Sequence, residues 1–349
     1  MNTAPIRTIL VVRSSAMGDV AMAVPVLKAF EQNYGKVRVI MLTNARFKPM
    51  FDPILNVAVY PIDLNGKHKG VRGIFKLYKE LKAKYEIDAI IDLHDKLYSK
   101  LLCKLFKLSK TYSFKIDKGR EQKKELTTQN HKQLVQLRQT VDRYADVFEK
   151  ASYPIRMNAK AIPEKETVPS AVENVFPENQ FAIAIAPFAS FEGKTMPLQL
   201  LNDTVKLITE KYPTLVIFLL GGSPEEKIIT ENLQDKYTNC ISLVRKVSLK
   251  DEMRLIANLK TVISMDSGAM HLASIVGTPV VSIFGATHPF AGFLGYNQSL
   301  DDVVQLNMPC RPCSVYGNKE CLFKHLNCLN NITADMIVSK LDKYLNDNQ

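Results

Sequence analysis

The sequence predicts an α/β protein made of two domains, each with a parallel sheet covered by helices on both faces. The chain has 349 residues, which is long for a single hydrophobic core. Short, continuously apolar runs that are typical of buried strands alternate with segments of helical spacing. The alternation stops once, in a Pro- and Glu-containing stretch from Pro154 to Pro177, and then restarts. We interpret this stretch as a linker.

The first half of the chain alternates between the two kinds of segment from its beginning. Strands are predicted at residues 8–13, 37–43, 57–62 and 89–94. Helices are predicted from Gly18 to a C-cap at Gly35 and around residues 70–84, 96–108 and 130–150.

The second half repeats this organisation. Strands are predicted at residues 181–187, 215–222, 261–266 and 280–285. A helix opens at Ser248, with Asp251 three residues later as in a capping box, and the last helix, residues 332–345, has Thr333 as its cap. Two similar halves suggest two facing Rossmann-like domains with a cleft between them. We assign residues 1–165 and 166–330 to these domains.

Composition and charge narrow the class of protein. The hydrophobic fraction is 46% and the charged fraction 23%, which are ordinary globular values. The sequence has no uninterrupted run of 18 apolar residues, and its beginning does not resemble a signal peptide, so we expect a cytoplasmic protein. The net charge of +11 is concentrated between Lys67 and Lys132, where 18 basic residues face 8 acidic ones.

This basic segment suits an anionic partner, which could be nucleic acid, an anionic membrane surface or a phosphorylated substrate. A solvated lysine-rich face is the simpler alternative. The aromatic residues of the segment fall mostly on apolar positions of helices or strands, which favours a role in the core over base stacking. We therefore expect no nucleic-acid partner.

The first candidate motif, RSSAMGDVAMAVP at residues 13–25, directly follows the first strand. Gly18 permits close approach of a ligand to the backbone, and the first helical N–H groups would point at that ligand. The motif has a single glycine, so it is not a dinucleotide fingerprint. Asp19 is either a helix residue that complements the macrodipole or a catalytic carboxylate.

The second motif is the turn DSG between a strand and a helix, within residues 262–289. Backbone N–H groups at Ser267 and Gly268 could hold a diphosphate at the helix N-terminus. Asp266 could shape the turn or contact a sugar hydroxyl. His271 is either a ligand contact or a structural residue of the helix.

Two further loops follow predicted strands. In PFASFEGKTMP, Ser190 offers a hydroxyl and Lys194 a cation that could neutralise a departing diphosphate. In LLGGSPEEK, Glu225 and Glu226 lie in the first turn of a helix, where a carboxylate either binds ribose hydroxyls or complements the helix dipole.

The cysteines divide into two groups. Cys103 and Cys240 stand in apolar runs and are expected in the core. The other four have C-x2-C-x7-C-x6-C spacing, which leaves open a structural zinc site, reduced thiols or a redox-dependent disulfide: Cys310, Cys313, Cys321 and Cys328. Neither an H-E-x-x-H nor a D-x-D pattern is present, so metal-assisted catalysis is not indicated.

Together the motifs resemble the ADP-heptose:lipopolysaccharide heptosyltransferases of glycosyltransferase family 9, over nearly the whole chain. ILVVRSSAMGDVAMAVPVLKAF is similar to the opening strand and Gly-Asp helix of that family, and IIDLHDKLYSKLL to its acceptor-side segment. SMDSGAMHLASIVGTPVVSIFGATHP is similar to its donor motif. Two features depart from the family pattern: the chain lacks the Trp often found beside the lysine, and Asp95 replaces a small residue.

The resemblance implies a GT-B fold in which the last helix, residues 331–349, crosses back to the first domain. It implies metal-independent, inverting transfer of heptose from an ADP-heptose donor to a phosphorylated, lipid-linked inner-core acceptor at the inner-membrane surface, with no cofactor required. Asp19 would be the base, and Lys194 would stabilise the leaving group. The other implied contacts are Ser190, Glu225, Glu226, Asp266, Ser267, Gly268 and His271 for the donor, and Gly18, His94, Lys96 and Lys100 for the acceptor.

Three alternatives differ in class: a transferase that uses another nucleotide sugar, a non-catalytic nucleotide-binding protein, and a nucleic-acid-binding protein. Retention of nucleotide binding without turnover in Asp19→Asn separates an enzyme from a binding protein. Steeply salt-dependent nucleic-acid affinity would identify the third class.

Overall fold

A computed structural model describes residues 7–129, 132–157, 162–178 and 181–346. The chain forms two compact units. The first consists of the chain up to Lys118 and of Thr140–Pro163, and the second consists of Gly119–Gln139 and the chain from Glu164 onwards.

The first unit contains a five-stranded, all-parallel sheet of order β3-β2-β1-β4-β5. The strands are β1 (Thr8–Val12), β2 (Arg38–Thr43), β3 (Val57–Pro61), β4 (Ala89–Asp92) and β5 (Tyr112–Lys115). The helices up to residue 150 are α1 (Met17–Ala21), α2 (Ala23–Tyr34), α3 (Gly70–Lys84), α4 (Leu97–Lys107), α5 (Arg120–Leu126) and α6 (Thr140–Lys150). Of these, α5 belongs to the second unit.

The second unit contains a six-stranded parallel sheet of order β11-β10-β9-β6-β7-β8. Its strands are β6 (Ala182–Ala186), β7 (Val216–Leu219), β8 (Cys240–Ser242), β9 (Val262–Met265), β10 (Val280–Ile283) and β11 (Val303–Val304). Its remaining helices are α7 (Leu198–Lys211), α8 (Pro224–Lys236), α9 (Leu249–Ile256), α10 (Gly268–Ile275), α11 (Asn327–Asn330) and α12 (Ala334–Leu345).

Both sheets have a point at which the strand order reverses. In the first unit it lies between β1 and β4, and in the second between β6 and β9. Ligands of open α/β sheets bind outside the carboxyl ends of the strands at such a switch point. The loops that follow these four strands carry most of the candidate residues named above, so chain topology gathers them within each unit.

The central strands form because their side chains are apolar on both faces. In β6, AIAIA is buried at every position, and in β1 only the first residue is partly accessible. The apolar side chains of β1, β2 and β4 pack against α3 and α4 in the core of the first unit, with Leu10, Ile40 and Leu77 fully buried. Helices cover both sheets as predicted, and no helix in the described residues is long and apolar enough to cross a membrane.

Some predicted elements were wrong in extent. The helix expected at 130–150 begins only at Thr140; residues 132–139 are not helical, and 130–131 lie outside the described residues. The first helix is divided at Met22 into α1 and α2. The edge strands β5, β8 and β11 were not predicted because they are only two to four residues long. The caps at Ser248 and Thr333 are confirmed, since each side chain accepts a backbone hydrogen bond.

Two domain assignments also need correction. Residues 119–139, which we placed in the first domain, belong to the second unit, where the Leu137 N–H donates to the carbonyl of Phe290 at 2.9 Å. The last helix was expected to cross back to the first domain, but its apolar face packs in the core of the second unit. Burial of Ile337 and Leu341 against that sheet is the physical reason. Within the predicted linker, residues 158–161 lie outside the described residues.

Candidate active site

Asp19 lies in the first turn of α1, directly after the loop that follows β1. Its Oδ2 accepts a hydrogen bond from the Ala16 N–H at 3.3 Å and forms an ion pair with Arg13. The Asp19 side chain is 26% exposed, so solvent or a ligand can reach the carboxylate. Gly18 precedes it within the same helix.

Arg13 is buried and connects Asp19 to the rest of the first unit. Its Nη1 donates to the carbonyl of Leu93 at 2.7 Å, and its guanidinium carbon lies 5.9 Å from the centre of the Tyr144 ring. The Tyr144 hydroxyl in turn donates to the carbonyl of Asp19 at 3.1 Å. The carboxylate is therefore held by Arg13, which is itself fixed by the loop after β4 and lies beside Tyr144 of α6.

His94 lies in the loop after β4 and is buried. Its Nδ1 accepts from the Ser14 N–H at 3.1 Å and lies 3.1 Å from the Tyr98 hydroxyl. Because Nδ1 is an acceptor, the ring proton is assigned to Nε2. Burial, together with the positive charges of Arg13 and Lys118, lowers the pKa of His94 to about 3, so the ring is neutral at physiological pH.

The same loop is shaped by Asp92, the last residue of β4. Its Oδ1 accepts from the N–H groups of His94 and Asp95, both at 2.9 Å, and its Oδ2 accepts from the Ser99 hydroxyl at 2.8 Å. Lys100 pairs with Asp95 at 3.1 Å, whereas the Lys96 side chain is exposed. His94 and Lys96 thus lie in the loop after β4, and Lys100 lies in the helix that follows, paired with Asp95 of that loop.

In the second unit, Lys194 and Asp266 lie together at the switch point. Lys194 ends a short 3-10 turn after β6, and Asp266 follows β9. Lys194 Nζ lies 3.5 Å from Asp266 Oδ2, which also accepts from the Thr287 hydroxyl at 2.7 Å. Both charged side chains are largely buried, so their attraction is only weakly screened by solvent. Asp266 orients Lys194.

The other donor candidates of this unit surround the same strand ends. Ser190 is exposed in the loop after β6. Ser267 is the N-cap of α10 and Gly268 its first residue, and within the described part of the chain the Ser267 side chain does not cap the helix. His271 is buried in α10. The α10 N-terminus therefore presents backbone N–H groups beside Asp266.

The two glutamates of α8 differ in their surroundings. Glu226 Oε2 accepts from the N–H groups of Gly222 and Ser223, at 2.6 and 3.0 Å, in a reciprocal capping box with Ser223. The Glu225 side chain is exposed. The sequence left the register between the two residues open, and the structure gives Glu226 the structural contacts.

The four clustered cysteines line one small cavity, together with Arg311. All six cysteines are free thiols in the described chain. Among the described residues, no group of three or more His, Cys, Asp or Glu side chains is arranged to hold a metal ion. This arrangement gives no support to a structural zinc site, which stays a hypothesis from the sequence.

Sequence reasoning missed several residues that hold the candidates in place. Arg13, Asp92 and Thr287 were not selected, although each follows or ends an apolar run. A charged residue at the end of a buried strand was the available signal, because such a residue lies at the ligand-binding edge of a parallel sheet.

Two doubly wound parallel sheets, with charged and hydrogen-bonding side chains at each switch point, match the predicted GT-B fold. Residues 74–324 match the model of glycosyltransferase family 9 (heptosyltransferase). The match spans more than half of the chain. The protein belongs to this family and is a glycosyltransferase.

Individual relatives agree with this membership. The chain is 24% identical to the lipopolysaccharide core heptosyltransferase OpsX of Haemophilus influenzae, over 86% of this chain and 84% of the relative. It is 21% identical to lipopolysaccharide heptosyltransferase 1 of Escherichia coli K12, over 86% and 96% of the two chains.

Solved structures show the same fold. A glycosyl transferase family 9 protein from Veillonella parvula superposes with a TM-score of 0.76, at 16% identity and over 99% of both chains. The E. coli heptosyltransferase WaaC with ADP-2-deoxy-2-fluoro heptose superposes with a TM-score of 0.67, at 22% identity and over 96% and 99% of the two chains.

Proposed function

We propose that this protein transfers a heptose from an ADP-heptose donor to the inner core of lipopolysaccharide, with inversion and without a metal ion. The observation that carries the proposal is the pair of switch-point sites. One holds an accessible carboxylate, Asp19, and the other an oriented cation, Lys194. The lipopolysaccharide heptosyltransferases among the relatives support the choice of sugar and acceptor.

In the proposed reaction, Asp19 accepts the proton of the attacking acceptor hydroxyl. The oxygen of that hydroxyl forms a bond to the anomeric carbon, on the face opposite the diphosphate, as the bond from that carbon to the diphosphate oxygen breaks. Arg13 keeps the carboxylate in one orientation, which lowers the entropic cost of reaching the reacting geometry. A single displacement of this kind inverts the anomeric configuration.

The ADP leaving group takes up negative charge in this step. Lys194 and the N–H groups at the start of α10 offer positive charge to it. Asp266 serves as a positioning residue, because its Oδ2 pairs with Lys194 and accepts from Thr287. These groups supply the charge stabilisation that a metal ion provides in other transferases.

The remaining candidates are assigned roles from which of their side-chain atoms are exposed or free of structural contacts. We assign the ribose contact to Glu225, because one oxygen of Glu226 already binds two backbone N–H groups. On the acceptor side, neutral His94 can donate a hydrogen bond from Nε2, and exposed Lys96 can pair with a phosphate of the core.

The test combines binding and turnover. In calorimetry without added metal, we expect ADP to bind more tightly than UDP, GDP or NAD. With ADP-heptose and truncated core oligosaccharides, we expect a product of inverted linkage, formed at an unchanged rate in excess EDTA. A preference for UDP or GDP would contradict the heptose donor while leaving a GT-B transferase, and a rate abolished by EDTA would contradict the metal-independent mechanism.

We also propose that the first unit docks on an anionic membrane through α3 and α4. These helices pack against each other. Both helices carry exposed basic residues, including Lys76, Lys79 and Lys104. Exposed apolar side chains accompany them: Leu97 is 87% and Leu108 84% exposed. Lysines with neighbouring apolar side chains suit a surface that combines anionic headgroups with hydrocarbon.

Vesicle sedimentation tests this surface. We expect binding to vesicles with 30% phosphatidylglycerol, weakened by salt, and little binding to pure phosphatidylcholine. Replacing Lys79 and Lys104 by glutamine should weaken binding about 10- to 30-fold, because each lysine near such a surface contributes about 1 kcal/mol. The matched control replaces Lys206 and Lys250, exposed lysines of the second unit. Equal losses in both variants would contradict the assignment to α3 and α4.

A further inference from the structure

The first four residues after β10, 284–287, have their carbonyl groups bound by one short segment, residues 311–314. Arg311 donates to the carbonyls of Phe284 at 3.0 Å, Gly285 at 2.5 Å and Thr287 at 2.9 Å. The remaining carbonyl, that of Ala286, accepts from the Cys313 N–H at 3.1 Å. The four consecutive carbonyls of residues 284–287 therefore all accept hydrogen bonds from residues 311–314.

The Arg311 side chain is buried, at 4% exposed, and all three of its nitrogens donate. Its other acceptors are the carbonyl of Leu306 and the side-chain oxygen of Gln305, at 3.0 Å from Nη2. None of its partners in the described residues is a carboxylate. Burying a cation in this way is costly unless its donors are satisfied. Here the N–H groups of Arg311 are satisfied mainly by backbone carbonyls, so the guanidinium and the loop hold each other in place.

The loop held by Arg311 contacts Asp266 and the residue that precedes Lys194. The Ala286 N–H donates to the carbonyl of Gly193, the residue before Lys194, at 2.9 Å. A Cβ at Gly193 would lie only 2.9 Å from that of Ala286, so the two loops touch closely. On its other side, the Thr287 hydroxyl donates to Asp266.

We propose that Arg311 is a positioning residue for the donor site. It fixes the loop of residues 284–287 so that Ala286 holds the Lys194 turn and Thr287 holds Asp266. This inference rests on the proposed function, because its consequence is tighter binding of a nucleoside diphosphate sugar. Arg311 affects Lys194 and Asp266 through this loop.

Only arginine has the donor geometry that this role needs. Its planar guanidinium carries five N–H groups in a fixed fork, whereas a lysine ammonium is a compact group with three. In Arg311→Lys the charge persists, but a single ammonium nitrogen cannot reach all the loop carbonyls that Nε and Nη2 of the arginine bind in the wild type. The loop would lose part of its anchorage while the buried positive charge remains.

The experiment measures ADP affinity and both Michaelis constants for the wild type and Arg311→Lys. We expect the KM for the ADP-sugar and the Kd for ADP to rise about 10- to 100-fold, which corresponds to a loss of about 1.4 to 2.8 kcal/mol of binding free energy. The KM for the acceptor should stay within twofold. Val338→Ala, in the α12 core of the same unit, is the control for general destabilisation and should leave the donor KM unchanged.

Each outcome decides the matter. Unchanged ADP affinity in Arg311→Lys, or a donor KM raised equally in Val338→Ala, overturns the inference. A wild type that binds no ADP overturns the proposed function and this inference with it. If Arg311→Lys does not fold, Gln305→Ala removes a single acceptor of the guanidinium. A severalfold rise in its donor KM supports the role of Arg311, and no change overturns it.

Discussion

Replacement of Asp19 by asparagine should lower turnover about 10²- to 10⁴-fold, the usual contribution of a general base. Asparagine has the same shape and keeps a side-chain oxygen that can accept from the Ala16 N–H, but it cannot take up the acceptor proton at neutral pH. Steady-state rates with ADP-heptose and a truncated core acceptor measure the loss. ADP affinity should remain within about twofold, because Lys194 and the α10 N-terminus are untouched.

The control for this variant is Asp52→Asn. Asp52 lies in the same unit and also pairs with a basic residue, Lys48, at 2.8 Å, but it is exposed and far along the chain from the switch point. It should retain full turnover. Asp19→Asn at near wild-type rate would show that the carboxylate only complements the dipole of α1, which is the alternative that the sequence left open.

Replacement of Lys194 by methionine should lower turnover about 10²- to 10³-fold, comparable to removing one donor of an oxyanion hole. Methionine preserves much of the apolar stem but removes the ammonium group that lies 3.5 Å from Asp266 Oδ2. Without it, negative charge on the leaving diphosphate meets the carboxylate of Asp266 with no intervening cation. ADP affinity should therefore fall as well, by about tenfold, which calorimetry measures.

Lys206→Met provides the matched control, since Lys206 is an exposed lysine of α7 in the same unit. We expect unchanged turnover and ADP affinity for that variant. A Lys194→Met enzyme that loses turnover but keeps its ADP affinity would show that the lysine stabilises the transition state without contributing to ADP binding. Retention of both properties would remove Lys194 from the proposed mechanism.

The local elements were predictable from the sequence because their causes are local. The short apolar runs around Val11 and Ile185 are typical of buried strands, and the side chains of Ser248 and Thr333 cap the helices that follow them. The acidic turn after β9 was recognisable from its residues alone. Short edge strands such as β5 were missed because runs of two to four residues give too few positions to show a period.

Pairing between distant segments could not be predicted from periodicity. The ring of His94 accepts from Ser14, which is 80 residues away, only because β1 and β4 are neighbours in the sheet. The sequence also could not choose between Glu225 and Glu226, because both suit the first turn of a helix. In the structure, the backbone N–H groups of the loop after β7 bind the carboxylate of Glu226, which gives that residue the structural role.

By itself, the sequence determined that the chain is an α/β protein with two parallel sheets, and it determined the residue types at their strand ends. The tertiary structure alone decided that Arg13 holds Asp19, that Thr287 and Lys194 share Asp266, and that α12 packs in the second unit. The physical reason is that residue patterns report which side chains are buried, whereas strand order decides which of them meet.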